Sequence, residues 1–123
     1  MNDSLVARYF DMWNTGDGSA AHEILGPDWV DHAHPESTGP AGVQQAVRRL
    51  RSTDPDLRFR IDAILGNGEL TAAVGGVTRG PGADAAPTRI IWLVRTRDGR
   101  MREMWTYHAR SGPDRPATGA AAA

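Results

Sequence analysis

The chain has 123 residues, enough for one domain around a single core. Its 40% hydrophobic and 24% charged residues, with a formal net charge of −1, match a globular domain and offer no charge excess for nucleic acid or an anionic membrane. Cysteine is absent and all 14 basic residues are arginine, which excludes disulfides, thiol nucleophiles, thiolate metal sites and lysine Schiff bases.

Leu5, Val6, Tyr9, Phe10, Met12 and Trp13 recur at helical spacing, so residues 4–14 read as a helix burying one broad face. Asp3 or Ser4 can cap it and Gly16 ends it. A short second helix, Ser19 to Leu25, is expected to stop at Gly26-Pro27. Trp29 to Ala33 then reads as a strand, with Trp29 and Asp31 on one side and Val30 and His32 on the other. After the turn Pro35 to Gly39, capped at Thr38 or Gly39 and opened by Pro40, the stripe Val43, Ala46, Val47, Leu50 marks a third helix. Arg48, Arg49 and Arg51 complement the dipole at its end.

From Leu57 the period becomes two: Leu57, Phe59 and Ile61 alternate with Arg58, Arg60 and Asp62. Gly66-Asn67-Gly68 predicts a hairpin turn into a strand from Leu70 to Arg79, interrupted by Gly75-Gly76. A loop from Gly80 to Pro87 precedes a strand from Thr88 to Arg97, and Asp98-Gly99 turns it into a last strand, Arg100 to Ala109. Residues 110–123 are a Pro/Gly/Ala-rich stretch without period, expected to be mobile. Helices followed by antiparallel strands predict an α+β domain over 1–109, its helices on one face of a curved sheet. With no bilayer-length apolar run and no leader pattern, the chain reads as cytoplasmic.

Five motifs occur in one order: Arg-Tyr-x-x-x-x-Asn-x-Gly-Asp (8–17), Pro-Asp-x-Val-Asp-His (27–32), Gly-Pro-x-Gly-Val (39–43), Pro-Asp-Leu-Arg-Phe (55–59) and Arg-x-Arg-Asp-Gly-Arg-x-x-Glu-x-Trp (95–105). Together, across residues 5–109, they resemble the nuclear transport factor 2-like superfamily, and within it the SnoaL-like polyketide cyclase branch. The resemblance implies a cone-shaped, cystatin-like α+β barrel, an apolar cavity between helices and sheet, and a homodimer through the outer sheet face. One fold hosts many reactions, so the reaction is argued from residues.

The similar ketosteroid isomerases carry a helix tyrosine, an aspartate base ending the first strand and a protonated aspartate on the sheet. On that likeness Tyr9 takes the tyrosine position, His32 the base position and Trp92 the second aspartate's position. The last-strand aspartate of SnoaL-like cyclases is missing, since Met104 and Thr106 stand there. His32 is therefore the candidate base or acid, with Tyr9 and Trp92 as hydrogen-bond donors to a developing oxyanion. Each has a structural alternative: a satisfied histidine, plain core packing, and a cavity-filling ring.

Met12, Trp13, His34, Gly75, Met104, Thr106 and His108 are expected to shape the pocket, while Trp105 and Tyr107 face outward as a dimer surface. His34, with Asp31, Glu36 and His108, offers nitrogen and oxygen ligands but no recognised metal spacing, so no metal is assigned. Arg89 is a candidate carboxylate anchor at the cavity mouth.

The leading expectation is a cofactor-free cyclase or isomerase of natural-product metabolism acting on a hydrophobic, carbonyl-bearing, polyketide- or steroid-like molecule, without nucleic acid or membrane partners. The lost sheet carboxylates favour a second expectation, a non-catalytic apolar-ligand-binding or dimerising accessory protein. A third is a cavity whose shape alone templates ring closure.

Overall fold

The apolar face of the first helix organises the domain. In the computed structural model, which describes residues 2–66, 68–79 and 88–108, helix α1 spans Asn2–Thr15. Val6, Tyr9, Phe10 and Met12 are buried on it, and Leu5 and Trp13 pack partly buried against the same core. The helix ends at Gly16, whose N–H donates to the Met12 carbonyl at 2.9 Å.

Next comes a single turn, α2 (Ala21–Ile24), and then strand β1 (Leu25–Asp31). This strand begins four residues earlier than Gly26-Pro27 suggested. Proline is tolerated because β1 lies at an edge of the sheet and its pairing with the last strand shifts between Leu25 and Val30. Pro27 falls in that irregular stretch, where no ladder N–H is required. The expected strand end at Ala33 is also displaced. His32 donates its N–H to Met104 at 2.9 Å, and the backbone then turns through His34 N–H to the Asp31 carbonyl at 3.0 Å.

Helix α3 (Gly39–Thr53) follows Thr38, with Pro40 in its first turn, and buries Val43 and Val47. Arg51 donates to the Pro55 carbonyl at 2.9 Å and also to the Leu57 carbonyl, tying the end of α3 to the next strand. The four remaining strands are β2 (Leu57–Gly66), β3 (Leu70–Arg79), β4 (Thr88–Arg97) and β5 (Arg100–His108). Asp98 (φ 55°) and Gly99 (φ 75°) form the tight β4–β5 turn, both in the left-handed region that a primed hairpin needs.

The sheet is open, in the order β1-β5-β4-β3-β2. β2 to β5 pair antiparallel as expected, but β1 runs parallel to β5, so the sheet is mixed rather than wholly antiparallel. A long connection through α3 separates β1 from the meander, and such a connection leaves the strand direction free. The helices bury one sheet face around Tyr9, Phe10, Ile24, Trp29, Val43, Val47, Ala73, Trp92, Val94 and Met104. Each large side chain so buried contributes about 1.5–3 kcal/mol of transfer free energy.

Two side-chain details hold this frame. The Asn14 amide donates to the Phe59 carbonyl at 2.9 Å and accepts the Phe59 N–H at 2.7 Å, pairing with the free edge of β2 as another strand would. Gly75 lies opposite Ile61, beside the β2 irregularity between Ile61 and Ala63. A Cβ there would stand 1.8 Å from the Arg60 carbonyl oxygen. Glycine is required here by the approach of backbone to backbone.

Among the described residues no helix is long and apolar enough to cross a membrane. The expected 80–87 loop, Ala109 and the 110–123 stretch lie outside the described residues.

Candidate active site

Between α1, α3 and the inner sheet face lies a cavity of about 460 Å³. Tyr9, Phe10 and Trp13 from α1 form part of its wall, with Val43, Ala46 and Leu50 from α3 and Trp92, Met104 and Thr106 from the sheet. Asp31, the last residue of β1, also lines it and is only 6% exposed.

Asp31 is buried because it shares a strand face with Trp29, itself 1% exposed. One carboxyl oxygen, Oδ1, accepts the Ala33 N–H at 3.0 Å. Burial raises its pKa above the ordinary carboxylate range. The Ala33 N–H and the His34 side chain and N–H oppose that rise, while Glu36 adds to it. The result is a carboxylate more basic than one in water.

Tyr9 stands in an aromatic cage, with ring centroids 5.1 Å from Phe10, 5.5 Å from Trp29 and 6.2 Å from Trp13. Burial, and then the charge of Asp31, hold its hydroxyl far above the usual phenol range. The neighbouring Trp13 side chain partly offsets this. Tyr9 is thus a fixed, neutral donor under the electrostatic influence of a buried carboxyl.

His32 does not line this cavity. Its ring stacks on Trp105, centroids 5.0 Å apart and planes at 8°, and its Nε2 lies 2.9 Å from Glu103 Oε2. Arg95 completes the outer-face cluster, 5.7 Å above the Trp105 ring and 3.2 Å from Glu103 Oε1. The expectation that His32 opens onto the cavity is therefore corrected. Strand alternation sends Asp31 inward and its neighbour outward.

The other expected pocket residues divide. Trp13, His34, Met104, Thr106 and His108 line the cavity, with His34 and His108 exposed at its rim. Trp92 lines it too, 4% exposed, its ring 4.6 Å from Phe10 and 6.0 Å from Phe59. Met12 is core, 2% exposed, and does not reach the cavity; nor does Gly75. Arg89 is not in the lining, whereas Arg49 and Arg79 are.

His34 Nδ1 sits 3.5 Å from Glu36 Oε2. Among the described residues no group of three or more His, Asp or Glu side chains is arranged to hold a metal ion. Sequence reasoning named Asp31 only as a possible metal ligand and missed it as the cavity's carboxyl, although Trp29, the large apolar residue two positions before it, marks the buried face.

Residues 6–104 match the model of the SnoaL-like domain family. A SnoaL-like polyketide cyclase from Agrobacterium tumefaciens str. C58 superposes with a TM-score of 0.67 at 14% identity, covering 88% of this chain and 91% of that one. A protein of unknown function with a cystatin-like fold from Methylobium petroleophilum PM1 gives 0.74 at 17% identity, covering 94% and 80%. TsrD from Streptomyces laurentii gives 0.69 at 23% identity, covering 86% of each chain. At these identities the likeness shows the fold alone. Comparison with curated proteins finds no match.

Proposed function

Given that the chain belongs to the SnoaL-like domain family, we propose that it is a cyclase or isomerase that moves a proton at carbon in a largely apolar, carbonyl-bearing, polyketide- or steroid-like molecule. One observation carries this reading: a buried carboxyl of raised basicity, Asp31, shares a cavity with a neutral phenol, Tyr9.

In this reading Asp31 takes a proton from the carbon beside a substrate carbonyl, and Tyr9 donates a hydrogen bond to the oxygen on which charge develops. In an isomerisation Asp31 returns the same proton to a different carbon. In a cyclisation the enolate carbon attacks a second carbonyl carbon of the same molecule, and Asp31 gives its proton to the alkoxide that forms. Either sequence balances within the substrate and one carboxyl, so it calls for no redox partner. Phe10, Trp13, Trp92 and Met104 supply the apolar wall that holds the substrate and excludes water.

The same proposal includes a homodimer through the outer sheet face. Ile91 is 44% and Tyr107 53% exposed on the central strands β4 and β5, beside Trp105, a composition that suits an interface core.

A decisive experiment follows deuterium exchange at the carbon beside the carbonyl of 2-tetralone by NMR. Asp31→Asn is expected to slow enzyme-dependent exchange by about 10²–10⁴-fold, while His32→Ala stays within about twofold of wild type. Unchanged exchange in Asp31→Asn would overturn the assignment. The sheet wall of Trp92, Met104 and Thr106 carries no carboxylate, which favours a second reading, an apolar-ligand carrier. A carrier would show ligand-induced stabilisation with exchange no faster than in buffer.

A further inference from the structure

One part of the cavity wall does not serve proton transfer. Where α3 runs out towards β2, the lining includes Arg49 and Thr53, and across from them Arg79 at the end of β3, opposite Leu57 of β2. Among the described residues the Arg49 guanidinium makes no hydrogen bond or ion pair, and it borders the cavity from an exposed position on α3. Arg79 donates through Nε to Asp54 Oδ2 at 3.0 Å, which orients its guanidinium and leaves its terminal N–H groups available.

We infer that Arg49, assisted by Arg79, is an anion subsite for a carboxylate on the substrate, at the opposite side of the cavity from Asp31. The inference rests on the proposed function and adds the substrate class: a carbonyl-bearing carboxylic acid with an apolar body. Three physical points support it. The guanidinium fork matches a carboxylate in shape and carries its charge at every working pH.

The placement also sets the two groups apart. Asp31 pairs with Met104, Met104 with Val94 and Val94 with Thr71, so Arg79 stands eight residues further along β3 as well as three strands away. Finally, the lining carboxylates do not compete for Arg49. Asp31 accepts the Ala33 N–H and Glu36 sits beside His34.

The subsite also gives the cavity a direction. With the acid held at Arg49, the apolar body lies over Phe59 and Trp92, and its far end approaches Asp31 and Tyr9. A substrate bound the other way would place its carboxylate against the buried Asp31 carboxyl, where like charge disfavours it.

Calorimetric titration with 4-(2-naphthyl)butanoate and with 4-(2-naphthyl)butanamide tests this, since the two differ in charge and hardly in shape. The carboxylate is expected to bind about tenfold tighter than the amide at low salt, with the margin shrinking as salt rises. Arg49→Gln should bring the two affinities within about twofold and leave the amide affinity as it was, which also reports that the variant is folded. Equal affinities in the wild type would overturn the inference, as would a tenfold margin that survives both Arg49→Gln and Arg79→Gln. If the amide binds and Asp31→Asn still abolishes exchange, such a failure leaves the proton-transfer reading standing. If neither compound binds, the inference falls, and exchange of 2-tetralone by itself decides the proton-transfer reading.

Discussion

Asp31 and His32 are consecutive residues on opposite faces of one sheet. The Asp31 carboxyl is buried in the cavity wall, and the His32 ring lies flat on Trp105 outside it. The peptide between them therefore separates an acid–base site from a surface cluster, and each side makes a distinct prediction.

Stability should report the burial of Asp31. Its carboxyl binds a proton more tightly folded than unfolded, so the stability that proton contributes is fully present below the ordinary carboxylate value, about pH 4. It is lost as pH rises through the raised folded value. Asp31→Asn keeps the neutral form at every pH. Relative to wild type, its Tm should therefore climb between about pH 4 and pH 8. Thermal melts of both proteins across that range check the sign, and a constant difference would contradict it.

Tyr9→Phe removes the hydrogen-bond donor while keeping the aromatic cage. Exchange should fall by about 10²–10³-fold, with little change in the affinity for the naphthyl amide. An equal loss of binding and rate would mean that Tyr9 only packs.

The Asn14 clamp and the close approach at Gly75 are structural, and their loss should appear in urea unfolding. Asn14→Ala leaves the Phe59 N–H and carbonyl on the β2 edge without their partners and should cost about 1–3 kcal/mol. Gly75→Ala forces β3 away from the Arg60 carbonyl and should cost about 2–3 kcal/mol. A Gly75→Ala protein as stable as wild type would show that the strands can yield there.

Self-association is testable on the outer face. The wild type should sediment as a dimer at about 100 μM, and Ile91→Arg with Tyr107→Arg should sediment as a monomer with unchanged helical circular dichroism. A monomeric wild type would remove the dimer from the proposal.

Much of this architecture is legible in local pattern. The α1 stripe, the Gly16 stop, the Pro40 entry to α3 and the Asp98-Gly99 turn each follow from propensities that act within a few residues. The start of β1 was less legible. Gly26-Pro27 reads locally as a break, yet an edge strand with a register shift absorbs it.

The sequence alone established an α+β domain, the absence of thiol and lysine chemistry, an inward Tyr9, and an alternation that sets Asp31 apart from His32. It could not say which of those two neighbours meets the cavity. Alternation is a local property, but the face that becomes the inside is chosen when β1 pairs with β5 and Trp29 enters the core. A slip of one residue in that register would exchange the two. Only the tertiary structure made the choice, through the hydrophobic burial of Trp29, and it left Asp31 rather than His32 in the cavity wall.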